Sequence, residues 1–334
     1  MQKLFRVVFF VGGVSLLTLT AWLAILRADE ATESSMIAFV SSRDDLRLEL
    51  YTMYADGSNQ RRLLRLNNSA SQTIGPVWSS DGAWIAFTLL VPGSNDAQIF
   101  RIRPNGDDLR QLTEGEGLHV ARSWSPDSQW IAYHDTRNVF VMRADGGDPS
   151  QLTRDGINQN PAWSPDGERI VFLRQRPGVQ SNFNIHRMRT DGSEVRMLTP
   201  ANFTDFDPAW SADGEWIIFG SDLGSNFRDG YFRLRPDDSQ MIGLGNQFSQ
   251  RISTSHVNWS NSGEWAVYQA RPGGNLDIYR TRADGSEVLR LTEHPAEDLL
   301  PSWSPPMSLA WRGWLNVLVA ALLFKLIHQG RGIG

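Results

Sequence analysis

The 334-residue chain has no cysteine, which excludes disulfides, thiolate catalysis, iron–sulfur clusters and cysteine-ligated zinc together. It is nearly without lysine: Lys3 and Lys325 stand near the ends, and every other cation is arginine, a bias read as genome composition rather than function. Its six histidines show no short ligand spacing, so the sequence indicates neither metal nor cofactor. No G-x-S-x-G elbow, P-loop, G-x-G-x-x-G or H-E-x-x-H occurs, which removes the common hydrolase, nucleotide and zinc-protease sites. What is present is 41% hydrophobic and 21% charged, enough for a packed core and too apolar for wholesale disorder. Glycine (29), proline (16) and tryptophan (13) are plentiful and point to a turn-rich, all-β protein.

Long apolar runs are confined to the two ends. Residues 7–26, VVFFVGGVSLLTLTAWLAIL, carry no charge and at 1.5 Å per residue are long enough for a bilayer core of about 30 Å. Lys3 and Arg6 precede the run and Asp29, Glu30 and Glu33 follow it, which places residues 1–6 in the cytoplasm and the following chain outside. A cleaved signal peptide is the competing reading, with a shorter apolar region as its usual mark. Residues 309–327, LAWRGWLNVLVAALLFKLI, form a second expected span, with Arg312 and Lys325 near its ends where long side chains can reach the interface; an interfacial helix is the alternative, though no polar face recurs at helical period. Between the tails, residues 36–304 hold 26 arginines against 34 acidic residues, a net charge of −8. That balance argues against nucleic acid, which needs a basic footprint.

The middle is a repeat. Trp-Ser recurs at Trp78, Trp124, Trp163, Trp210, Trp259 and Trp303, at spacings of 46, 39, 47, 49 and 44 residues. A P-x-W-S strand leads into a turn (WSSDG, WSPDS, WSPDG, WSADG, WSNSG). Then come a short apolar strand (IAF, IAY, IVF, IIF, AVY), an alternating strand ending in arginine (IFRIR, VFVMR, IHRMR, YFRLR, IYRTR), a second turn, and a strand ending in Leu-Thr at Leu112, Leu152, Leu198 and Leu291. Asp-Gly supplies the positive φ that tight hairpins need. Four short strands per period of about 40–50 residues are the signature of a propeller blade. The repeat resembles the TolB-like six-bladed β-propeller repeat, a relative of the WD-type blade, over Met36 to Ser304. The expected fold class is therefore all-β: a six-bladed β-propeller flanked by an N-terminal and a C-terminal transmembrane helix.

The first unit begins at Ile37 without a Trp-Ser strand and runs to Leu66, whereas the last Trp-Ser has no apolar strand after it. One missing strand and one spare strand make a blade, so residues 301–304 are expected to pair with the 36–66 blade and close the ring, which abolishes a sheet edge. With strands A to D in each blade and the Trp-Ser strand A innermost, as the resemblance implies, the chain enters and leaves on the rim of the A–B turns. Both membrane segments then attach to that rim, and the D–A and B–C loops face away from the bilayer.

Candidate ligand-binding residues follow from this orientation. The residue five before each blade tryptophan is polar: Thr73, His119, Asn158, Asp205, Thr254 and Asp298; Asn160, Asp207 and His256 stand three before. A ring of His119, Asp205, Asp298 and His256 at the distal mouth, set in loops where removal costs little packing, is chemically suited to a cation or an amine. The competing reading is polar capping of a water-filled tunnel. The B–C loops add Arg43, Arg137, Arg174, Arg176, Arg228 and Arg271, suited to an acidic peptide or glycan, or simply solvated surface. Trp84, Trp130, Trp216 and Trp265 open the second strands, either as an aromatic belt at the headgroups or as packing between blades.

The leading functional expectation is a membrane-anchored platform on the extracytoplasmic side of a bacterial cell, binding a protein or an envelope polymer, with no nucleic acid and no catalytic residue assigned. The alternatives are a lyase or hydrolase acting on an acidic saccharide, and a sensor coupled to the membrane helices. TolB proteins carry a further domain before the propeller, and here about nine residues separate anchor from blade. A role in the Tol system is therefore not carried over.

Overall fold

The computed structural model describes residues 35–44, 47–66, 72–90, 93–94, 96–179, 182–223, 230–243, 257–260, 262–271, 274–282 and 286–305. Both expected membrane segments lie outside them; among the described residues no helix is long and apolar enough to cross a membrane.

Six four-stranded antiparallel sheets form the blades of a propeller. Strands A of blades 2 to 6 are Thr73–Trp78, Val120–Trp124, Asn158–Trp163, Asp205–Trp210 and Val257–Trp259. Blade 1 is built from both ends of the ring: Asp298–Trp303 pairs antiparallel with Met36–Ser41, setting Ile37 opposite Trp303 and Ser41 opposite Asp298. The closing strand thus begins three residues earlier than the expected 301–304 segment. Strands B are covered on both faces by neighbouring blades, so Met36–Ser41 and Trp265–Ala270 are buried throughout and read as apolar runs rather than alternations. Strands D are two or three residues long and mostly exposed, short edges that offer little template for pairing with another chain.

The core lies between blades. Ile37, Phe39 and Met53 of blade 1 pack with Trp265, Val267 and Ile278 of blade 6 in one buried cluster. Burial of this apolar area, at roughly 25 cal/mol per Å2, drives the stacking. Two repeat motifs meet at the same junctions. A Cβ on Gly146 or Gly192, in the C–D turns of blades 3 and 4, would come within 2.6 Å of the carbonyl oxygen of Leu112 or Leu152 in the preceding blade. Positive φ and this close approach together require glycine there. The threonine after each of those leucines caps its own strand C: Thr113, Thr153, Thr199 and Thr292 accept the backbone N–H of Ile99, Val139, Ile185 and Ile278 at 2.9–3.0 Å.

The two ends of the ring meet. Met36 N–H donates to Ser304 Oγ at 2.8 Å, and Ser304 N–H donates to the Met36 carbonyl at 2.7 Å. Pro305 lies against Gly82, in the A–B turn of blade 2. The chain therefore enters and leaves the propeller side by side on the A–B rim.

Candidate functional site: the central channel

Each innermost strand of blades 1 to 5 is broken by a β-bulge. In blade 2 the register steps from Ile74 opposite Thr88 to Val77 opposite Ala86; in blade 3 it steps from Ala121 opposite Tyr133 to Ser123 opposite Ala132. Blades 1, 4 and 5 shift in the same way. A bulge puts one extra residue into the strand and re-aims its side chain. Here Gly75, Asn160, Asp207 and Leu300 take φ between 46° and 52°, and the following residue is Pro76, Pro161, Pro208 or Pro301, which has no N–H to leave unpaired in the broken ladder. Blade 3 has Arg122 in place of that proline.

A cavity of about 530 Å3 runs along the axis from these bulges to the A–B turns. The six blade tryptophans line it, and Gly75, Arg122, Asn160, Asp207 and Leu300 form its inner end. Arg122 Nη2 donates to Asp207 Oδ1 at 3.4 Å, and Asn160 Nδ2 donates to the same oxygen at 3.2 Å. Asp207 Oδ2 is buried with no hydrogen-bond partner. Burial pushes the Arg122 guanidinium below its ordinary range, against the pull of Asp207. Beside them His134 Nδ1 faces the Asn160 N–H at 3.4 Å. Burial first, and the Arg122 charge second, hold this imidazole down at about 3, so it is neutral at physiological pH.

Of the expected ligand-binding residues that are described, Asn160 and Asp207, both three before tryptophan, line the cavity. The residues five before tryptophan are built into the blades instead. Asp298, fully buried, takes a bidentate pair of hydrogen bonds from Arg43 Nη2 at 2.8 and 2.9 Å. Asp205, 2% exposed, accepts from the Thr199 hydroxyl and from Ile185 N–H; burial holds its carboxyl above the ordinary value. Asn158 accepts from Arg174 Nε at 2.7 Å and donates to the Asp155 carbonyl at 2.8 Å. His119 packs against the ring of Tyr133, and burial lowers its pKa. Asp298, Asp205 and Asn158 are paired rather than set in open loops, because an unpaired polar group at the mouth of a sheet stack loses water without gaining a partner; His119 Nδ1 and Thr73 Oγ1 are buried with no partner among the described residues. Among the described residues no three acidic or histidine side chains gather as for a metal.

The distal arginines are partly engaged as well. Arg271 Nη2 donates to both oxygens of Glu297, at 3.0 and 3.1 Å, and Arg176 Nη1 donates to the Ala201 carbonyl at 3.1 Å. Arg137 is exposed. His256 and Arg228 lie outside the described residues.

Comparison with known proteins settles the family. The sequence profile described as "TolB beta propeller domain" matches residues 67–235, just over half of the chain. The chain belongs to the TolB β-propeller family. It is similar to the Tol-Pal system protein TolB of Desulfosudis oleivorans, 31% identical over 124 residues, covering 36% of this chain and 27% of that protein. A TolB homolog of Chlorobium luteolum is 26% identical over 284 residues, covering 84% of this chain and 62% of that protein. The chain thus spans less than two thirds of the length of these two relatives. Among solved structures, TolB from Acinetobacter baumannii superposes with a TM-score of 0.70 at 22% identity, covering 84% of this chain and 70% of that one; at that identity the likeness is one of fold.

Two features of this TolB-type propeller escaped the sequence reading. Arg122 is one; its signal was present, as the break in the P-x-W-S pattern where R-S-W-S stands in blade 3. The other is the use made of arginine. Arg101 and Arg103 lie over Trp84 at 4.0 and 4.2 Å from the ring centroid, Arg233 and Arg235 over Trp216 at 4.3 and 4.1 Å, and Arg280 and Arg282 over Trp265 at 4.8 and 4.5 Å. In two of these pairs the first arginine also reaches the next blade: Arg101 Nη1 donates to Ala144 O at 2.7 Å, and Arg280 Nη1 to Ala55 O at 2.9 Å. Guanidinium faces suit this double duty of stacking and directed donation, which a lysine ammonium does not. The tryptophans that open strands B are thus covered by arginine and packed between blades.

Proposed function

We propose that this propeller is an extracytoplasmic docking platform for a protein partner, held at the bacterial cell membrane by residues 7–26 and 309–327. Its working face is the rim of the D–A and B–C loops. The observation that carries this reading is the meeting of Met36 and Ser304. Segments leaving the ring at one point tether the A–B rim and leave the opposite rim, with Arg137, Arg176 and Arg271, turned outward. A protein partner is favoured over an envelope polymer because a relative is named for the Tol-Pal system. Loops on a rigid scaffold are where recognition residues concentrate. The enzyme alternative finds no support in the geometry of the channel. Asp207 is the one carboxylate among the described cavity-lining residues, and it is already bonded to Arg122 and Asn160, so no acid–base pair converges there.

The test uses the absence of native cysteine. Single cysteines at Ser94, on a B–C loop, and at Gln329 should label oppositely with an impermeant thiol reagent in intact cells, Ser94 outside and Gln329 inside. Proximity labelling should then capture a protein whose recovery falls when Arg137, Arg176 and Arg271 are changed together to glutamate. Labelling at both positions would contradict the two-span tether, and unchanged capture would contradict the distal face.

A further inference from the structure

We propose that the inner end of the channel cavity is a binding site for a small organic carboxylate, held by the Arg122 guanidinium. This is independent of the docking platform and lies on the other half of the channel. Arg122 occupies the bulge position that proline fills in four other blades, so the blade architecture does not call for it. Its side chain is 18% exposed and, among the described residues, makes one hydrogen bond, to Asp207, at 3.4 Å. A guanidinium has five N–H donors in a planar fork. Arg43, in the distal half, spends its donors on Ser41, Gln60 and both oxygens of Asp298. Arg122, which is comparably enclosed, leaves most of its donors without a partner among the described residues, at the end of a cavity lined by tryptophan and proline. An enclosed guanidinium with open donors is a ready partner for an anion that completes the fork.

The chemistry selects within the anions. Asp207 sits at hydrogen-bond distance from the same guanidinium and repels a second negative charge, so a dianionic phosphate is disfavoured against a singly charged carboxylate. A carboxylate also matches the planar fork edge to edge. The volume of about 530 Å3 is that of a small-molecule site rather than of a bare ion. Asn258, on the wall, spends its amide oxygen on the Trp303 N–H at 2.9 Å, and its NH2 group, without a partner among the described residues, is a second donor. The tryptophan and proline surfaces receive an apolar or neutral body. In this arrangement Asp207 is the internal competitor that a ligand displaces from Arg122.

The probe is N-acetyl-dialanine, as the free acid and as its C-terminal amide, titrated calorimetrically at pH 7 into the purified full-length chain in detergent. The acid should bind saturably at one site per chain, and the amide at least about tenfold more weakly, because it lacks the charge that the fork reads. Arg122→Pro installs the residue of four other blades and should abolish binding of the acid. Arg122→Gln should do the same if the proline variant fails to fold, with circular dichroism as the check. Asp207→Asn should tighten binding of the acid by up to about tenfold by removing the competitor. Equal binding of acid and amide, no binding of the acid, or unchanged binding in both Arg122 variants would overturn the proposal. So would weaker binding in Asp207→Asn, which would mean that Asp207 holds a cationic group instead.

Discussion

The two halves of the central channel use the same kinds of side chain for opposite ends. In the distal half, three of the polar residues five before a tryptophan are buried and paired: Asp298 by Arg43, Asn158 by Arg174, Asp205 by Thr199 and Ile185. In the half toward the A–B turns, residues two and three before tryptophan face a cavity, and the charged pair there is held by one long contact. Two residues along a strand separate a locking group from an accessible one. The bulge makes the difference, because it re-aims the strand's side chains between the two positions.

The sharpest way to break the comparison is to remove an innermost strand altogether. Deleting Leu299–Ser304 strips blade 1 of the strand that pairs with Met36–Ser41 and with it both halves of that channel wall. Loss of a single cooperative transition in calorimetry is the expected outcome; a deletion that melts like the intact chain would mean that the ring does not depend on its closure.

A pH series comes next in size. His134 lies where the two halves meet, and its imidazole is held at about 3 in the folded protein against an ordinary value of about 6.5. The unfolded chain then binds the extra proton, so stability is full above about pH 6.5 and falls as pH drops toward about 3, at about 1.4 kcal/mol per unit for this group. His119 and His186 are shifted in the same direction by burial. Urea unfolding at pH 7 and pH 5 should show the loss, and His134→Gln should remove its share of the slope. An unchanged slope in that variant would place the proton uptake elsewhere.

Smaller effects distinguish the fixtures from one another. Arg101→Ala should cost about 1–2 kcal/mol, from the stack on Trp84 and the bond to the Ala144 carbonyl. Asp205→Asn should cost less than about 1 kcal/mol, since an amide oxygen can accept the same two hydrogen bonds. A larger loss for Asp205→Asn than for Arg101→Ala in denaturant unfolding would show that the carboxylate charge itself is needed there.

Much of this was legible in the sequence. The Trp-Ser period gives the number of blades, and the unmatched strands at Ile37 and Trp303 give their closure, because hydrophobic alternation and turn chemistry are local signals. The roles of polar residues were not legible. Asp205, Asp207 and Asp298 look alike in sequence, and what separates them is a partner brought from another strand or loop: Thr199, Arg122 and Arg43 respectively. The spacing of His119, Asp205 and Asp298 suggested a ring around a ligand. Asp205 and Asp298 instead turn into their own surroundings, where protein groups replace the water that they give up on burial, and His119 packs on the ring of Tyr133. Arginine reads as compositional bias until the tryptophans it covers are seen in place.

The contrast between the two halves of the channel is tested most directly by urea unfolding of two single variants, Asp298→Ala and Asp207→Asn. Asp298→Ala leaves a nearly buried guanidinium without the bidentate carboxylate that held it at 2.8–2.9 Å and should lose about 3 kcal/mol. Asp207→Asn keeps an oxygen that can accept from Arg122 and Asn160, at a left-handed position that asparagine accepts, and removes only the charge of a long contact beside a cavity, so it should lose less, about 1 kcal/mol. Equal losses, or a larger loss for Asp207→Asn, would contradict the division of the channel into a structural half and an accessible one.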